Sequence, residues 1–119
     1  MQTHDFLGQV QTKAHLPTLD AALRATRATL ETLAERLGPT ESRQLGAQLP
    51  PEIKECLLTE TSESEWFSSD EFLDRVSERE GVDLPESTSH ALAVIEVLGE
   101  AVPAIEMIDV LDRLPADYA

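Results

Sequence analysis

Apolar residues recur along this chain at helical spacing and nowhere hold the two-residue alternation of a strand. Phe6, Leu7, Val10 and Ala14 share one face, which predicts a first helix over residues 5–13, broken by Pro17. Leu19, Leu23, Thr26, Leu30, Leu33 and Leu37 then step by fours and threes, a stripe for a long second helix. Thr18 is placed to cap it, and Gly38 to end it in a left-handed conformation. A third helix with thin apolar content is expected over 40–48. A fourth, over 51–58, carries Ile53, Cys56 and Leu57 on one side. Residues 59–65 are polar and acidic and mark a boundary. Ser68 and Glu71 have the spacing of a capping box, and Phe67 and Phe72 that of a hydrophobic staple. A fifth helix therefore starts at Ser69 and ends at Gly81. Asp83 and Glu86 repeat the cap pattern for a sixth helix reaching about Ala101, and Pro103 opens a seventh ending near Arg113.

The most apolar run, residues 90–102, has an earlier counterpart in residues 26–37. Glu31 and Glu96, and Leu33 and Leu98, coincide at an offset of sixty-five, with Leu30 opposite Ile95. Phe6, Leu7 and Val10 match Phe72, Leu73 and Val76 at an offset of sixty-six, and Leu49-Pro50 matches Leu114-Pro115. The expected fold is an all-α bundle of seven to eight helices. It is built from two tandem related units, 1–60 and 66–119, packed into one globular domain.

The two units differ where it matters for function. Leu92, Val94, Val97 and Ala101 stand where the first unit has Arg27, Thr29, Thr32 and Arg36. Ile105, Met107, Ile108 and Leu111 stand where it has Thr40, Ser42, Arg43 and Gly46. A helix that is hydrophobic nearly all round is buried on more than one side. Burying one such side chain contributes ~1.5–3 kcal/mol. Helices six and seven are therefore either the centre of the monomer or a surface for self-association. Where the first unit has its fourth helix, the second has only a stub at 114–119, and a two-fold mate would fill that gap. The residues expected to make this contact are Leu92, Val97, Ile105, Met107, Ile108 and Leu111, in a homodimer.

Charge separates the halves too. Residues 1–60 hold six Lys/Arg and eight Asp/Glu, net -2, whereas residues 61–119 hold three and fifteen, net -12. A chain at -14 repels phosphate backbones, so direct nucleic-acid binding is not expected. No apolar run approaches the ~20 residues of a membrane span, and no secretory signal is visible, so the expected setting is the cytoplasm with no membrane partner. Cys56 is alone and makes no internal disulfide; it reads as a buried inert thiol, with Lys54 the nearest cation in sequence. His4, His15 and His90 are scattered, and Glu86, four residues back, would orient His90. Asp70, Glu71, Asp74 and Glu78 share a solvated face, with Glu71 and Arg75 as an i, i+4 pair. No Glu-x-x-His pair, nucleophile turn or phosphate-cradling glycine loop is present. No catalytic residue, metal or cofactor is expected. The reading is a non-enzymatic protein acting through protein contacts. The alternative is a small-molecule or metal binding bundle with its ligand between the two units.

Three runs together resemble the domain of unknown function 2267 family. They are the two copies of an acidic-Phe-Leu-x-x-Val motif (Asp5, Phe6, Leu7, Val10; Glu71, Phe72, Leu73, Val76) and the helix of residues 25–37. The third is Gln48-Leu49-Pro50-Pro51-Glu52-Ile53, echoed from Arg113 to Tyr118. The resemblance implies small, all-helical, soluble prokaryotic proteins with no assigned reaction, and it brings no catalytic residues. The second copy ends soon after Tyr118, where the resemblance implies a continuing helix.

Overall fold

A computed structural model describes residues 1–58 and 63–113. Among them the chain is all-α, with no strand. Its helices are α1 (Thr3–Lys13), α2 (Leu19–Leu37), α3 (Pro39–Gly46), α4 (Pro51–Leu57), α5 (Ser69–Glu80), α6 (Leu84–Ala101) and α7 (Ala104–Arg113). The stub after Arg113, with Leu114, Pro115 and Tyr118, and the first part of the expected boundary lie outside the described residues.

Local signals act largely as the spacing predicts. Thr18 Oγ1 accepts from the Ala21 N–H at 3.0 Å and caps α2. Ser68 Oγ accepts from the Glu71 N–H at 3.2 Å and caps α5. The Glu71 carboxylate is engaged by Arg75 Nε at 2.9 Å. The Phe67 and Phe72 rings stack with centroids 6.2 Å apart, as a staple across the cap requires. Asp83 sits at the N-cap of α6 but makes no side-chain cap bond. Pro85 occupies the second helical position and has no N–H to offer. Helix α1 starts two residues before the expected boundary, because Asp5 Oδ2 accepts from the Gln2 N–H and extends the first turn. Gly38 ends α2 with φ 87° and ψ 172°, a region open only to glycine rather than the left-handed helical one. A Cβ there would meet the Ser64 backbone N at 3.0 Å.

The hub of the bundle is α2, which packs against each of the other six helices. This reverses the emphasis of the hydropathy pattern, in which α6 is the greasier element. The reason lies in side-chain size. Helix α2 buries Ala22, Ala25, Ala28 and Ala34 beside Leu30, Leu33 and Leu37, together with Thr26, Thr29 and Thr32. Small side chains let neighbouring helices approach closely on several sides. Thr32 hides its polarity by donating to the Ala28 carbonyl at 2.8 Å.

Helix α6 supplies the second buried surface, with Ala91, Val94, Val97 and Leu98 essentially closed to solvent. It packs on α1 and α5 as well as α2, so one core cluster draws on residues from both sides of the 59–65 segment. Ion pairs cross in the same way. Lys13 of α1 reaches Glu96 and Glu100 of α6 at 3.6 and 3.9 Å. Glu35 of α2 takes Arg75 and Arg79 of α5 at 3.3 and 2.7 Å. Helix α7 lies at the edge, against α2 and α6.

Candidate functional site

Helix α7 has one face held down and one left in solvent. Val110 is 3% exposed, and Met107 rests over Gly99 of α6, its Cγ 3.7 Å from where a Cβ would stand on that glycine. Glu106 and Val110 close a cleft of ≈ 20 Å³ with Leu37, Glu41, Gln44 and Leu45. Around the helix from this anchored face, Ile105 is 73% exposed, Ile108 57% and Leu111 40%. Leu92 of α6 is 43% exposed. Scattered exposed leucines are ordinary. Three large aliphatics on one ten-residue helix are not, because they form a contiguous stripe at i, i+3 and i+6.

Of the six residues expected at a contact, the structure leaves Leu92, Ile105, Ile108 and Leu111 in solvent and makes Met107 a half-buried support. Val97 is fully buried in the core cluster and offers nothing at the surface. It sits on the face of α6 that packs into the bundle, whereas Leu92 lies on the opposite face. The eight positions that gain apolar character in the second half thus divide. Val94 and Val97 build the monomer core, and most of the α7 positions do not.

The titratable residues organise differently from their sequence spacing. His90 does not use Glu86. Its Nδ1 lies 2.5 Å from Oε2 of Glu80, the last residue of α5, and both side chains are buried. Burial pushes the Glu80 carboxyl above its ordinary range, against the opposing pull of His90 and Arg24. Glu80 carries no sequence signal at ten residues from His90, since only the turn between α5 and α6 brings them together. Cys56 is buried, and burial pushes its thiol up. The cation beside it is Arg27 of α2, not Lys54, and it offsets only part of that effect. A thiol held protonated is a poor nucleophile.

Arg75 stands at the centre of a charge cluster. It meets Glu65 at 2.5 Å, Glu71 at 2.9 Å and Glu35 at 3.3 Å, with its guanidinium 4.0 Å from the Phe67 ring centroid. Glu35 feels burial, which raises its carboxyl, but Arg79 and Arg75 together hold it below its ordinary value. An open groove of ≈ 520 Å³ lies at the near ends of α1, α2 and α4, lined by Met1, Gln2, Thr3, His4, Leu7, Leu19, Pro50, Pro51 and Glu52. It belongs to the first half alone and does not lie between the two units. Among the described residues no three His, Cys, Asp or Glu side chains converge as a metal site. No helix there is long and apolar enough to cross a membrane.

Over residues 3–119 the chain matches the family described as an uncharacterised conserved protein, DUF2267. No curated protein matches it.

Proposed function

Because the chain belongs to the DUF2267 family, which is uncharacterised, we propose its function from its surface: a non-enzymatic helical protein that acts through protein contacts and pairs with a second copy of itself across α7. The observation that carries this reading is the exposed stripe Ile105, Ile108 and Leu111 on α7, with Leu92 of α6 also exposed. A two-fold contact brings the same patch of each copy together, so residue i meets j and j meets i. A two-fold axis through Ile108 sets Ile105 of one copy against Leu111 of its mate and Ile108 against itself. The spacing is self-complementary without any change of side chain. The anchored face of α7, through Met107 and Val110, keeps the stripe presented rather than free to fold inward. A stable contact of this kind removes about 800 Å² from each partner. The apolar stripe supplies its centre, and the carboxylates around it supply a polar rim.

The test is the solution mass, by light scattering on a sizing column, of the wild type and of Ile108→Arg. Ile108 is 57% exposed, so its replacement does not disturb the core. The expected result is a wild type at twice 13.1 kDa and a variant at 13.1 kDa with the same helical circular dichroism and a melting temperature that no longer depends on protein concentration. A wild type that stays at one chain mass at high concentration overturns the reading. So does a variant that remains paired.

A further inference from the structure

Glu80 and His90 are a buried pair that the contact on α7 does not use. Glu80 ends α5, His90 lies within α6, and only residues 81–83 separate the two helices. The turn is tight. Gly81 adopts a left-handed conformation with φ 77°, and Ser77 Oγ donates to the Val82 carbonyl at 2.5 Å. The Glu80 and His90 side chains are 3% and 10% exposed, and Oε2 meets Nδ1 at 2.5 Å. The other carboxyl oxygen, Oε1, is closed to solvent and has no hydrogen-bond partner among the described residues. The other charges acting on Glu80 are Arg24 from α2 and Glu86 from α6. Two further cations on elements packed around the pair are committed elsewhere. Arg79 is taken by Glu35 and the Thr32 hydroxyl, and Lys13 of α1 by Glu96 and Glu100.

We propose that Glu80 and His90 form a proton-operated latch on the α5–α6 turn, closed while the pair shares a proton and loosened when that proton leaves. With one proton between them, the pair is either a carboxylate against an imidazolium or a carboxylic acid against an imidazole. Neither buries net charge. Removing the proton leaves an anion in a site where one of its oxygens has no donor, and burying such a group is costly. The raised carboxyl of Glu80 agrees in sign. A group raised in the fold contributes its stability in full below its unfolded value and loses it as pH rises through its folded value. The latch is therefore tight in mildly acidic solution and slack above the titration of the pair.

The test compares denaturant unfolding of the wild type and Glu80→Gln from pH 4.5 to 8.5. Gln keeps the shape and a hydrogen-bonding group but does not titrate. The ratio of the two folding constants cancels groups that do not act on Glu80 and leaves the titration of the Glu80–His90 pair. The wild type is expected to lose ground to the variant, by up to about tenfold per pH unit, as pH rises through the loss of the pair's shared proton. A ratio constant over the whole range overturns the proposal. A second measurement needs only the wild type: carbon shifts of the Glu80 carboxyl and nitrogen shifts of the His90 ring, followed together against pH. One common step at both groups supports the latch. A Glu80 carboxyl that titrates in the ordinary range, independently of His90, overturns it even where the variant fails to fold.

Discussion

Arg75 shows how far a single side chain can be read from its neighbours in sequence. Its pairing with Glu71 follows from helical spacing, four residues apart on one face. Its contacts with Glu65 and Glu35, ten and forty residues away, do not, because they depend on where the 63–68 segment and α2 lie against α5. The same holds for His90. Spacing points to Glu86, one turn back, but the α5–α6 turn delivers Glu80. Local pairs are legible and tertiary ones are not, and the tertiary set includes the one fully buried pair among the described residues, Glu80 with His90. Arg75 is 21% exposed and has three carboxylates and a ring around it, so Arg75→Met is expected to cost about 1–3 kcal/mol at neutral pH. Most of this comes from Glu35, since Glu65 is solvent-exposed and its pairing is screened. The sign with pH is opposite to that of the latch. Glu35 is held below its ordinary value in the fold, so its contribution is present above the unfolded carboxylate range and is lost as pH falls through the folded value. Guanidinium unfolding at pH 7 and at pH 3 checks this: the gap between wild type and Arg75→Met narrows in acid.

At the scale of elements, every helix was foreseen to within a few residues, because prolines and glycines punctuate the chain where apolar stripes end. What the stripes did not reveal was rank. A hydropathy reading places α6 at the centre, but α2 is the hub, since it touches each of the other helices with a surface of alanine and threonine. Threonine reads as polar in a pattern. Inside a helix its methyl group packs and its hydroxyl can turn to the carbonyl one turn back, as Thr32 does. Thr26 and Thr29 are equally buried, but their hydroxyls have no hydrogen-bond partner among the described residues. A buried polar group without a partner costs stability, and a same-shaped apolar replacement recovers it. Thr29→Val is therefore expected to stabilise the protein by about 1 kcal/mol. Urea unfolding should show a higher midpoint at an unchanged slope, since the surface exposed on unfolding is the same. A lower midpoint would mean that the hydroxyl of Thr29 is satisfied in solution, by a water held within the bundle.

At the scale of the whole molecule, charge and the apolar stripe on α7 pull in opposite directions. The chain carries -14, of which -12 falls in the half that bears α7. Two copies meeting across α7 bring their more acidic halves together, so pairing is driven by apolar burial and opposed by long-range repulsion. Salt separates the two effects. The screening length shrinks from about 30 Å at 0.01 M to about 10 Å at 0.1 M, which removes repulsion between exposed carboxylates and leaves the burial of Ile105, Ile108 and Leu111 intact. Pairing is accordingly expected to strengthen as sodium chloride rises from 0.02 to 0.5 M, by roughly tenfold in dissociation constant if screening recovers about 1.4 kcal/mol. Sedimentation equilibrium across that range reads the constant directly. The opposite trend, pairs that dissociate as salt rises, would mean that the contact joins unlike charges. It would then use arginines of the first half, such as Arg24, Arg27 or Arg43, rather than the stripe on α7. The outcome at high salt thus identifies which surface of the molecule is recognised, because only the apolar contact survives screening.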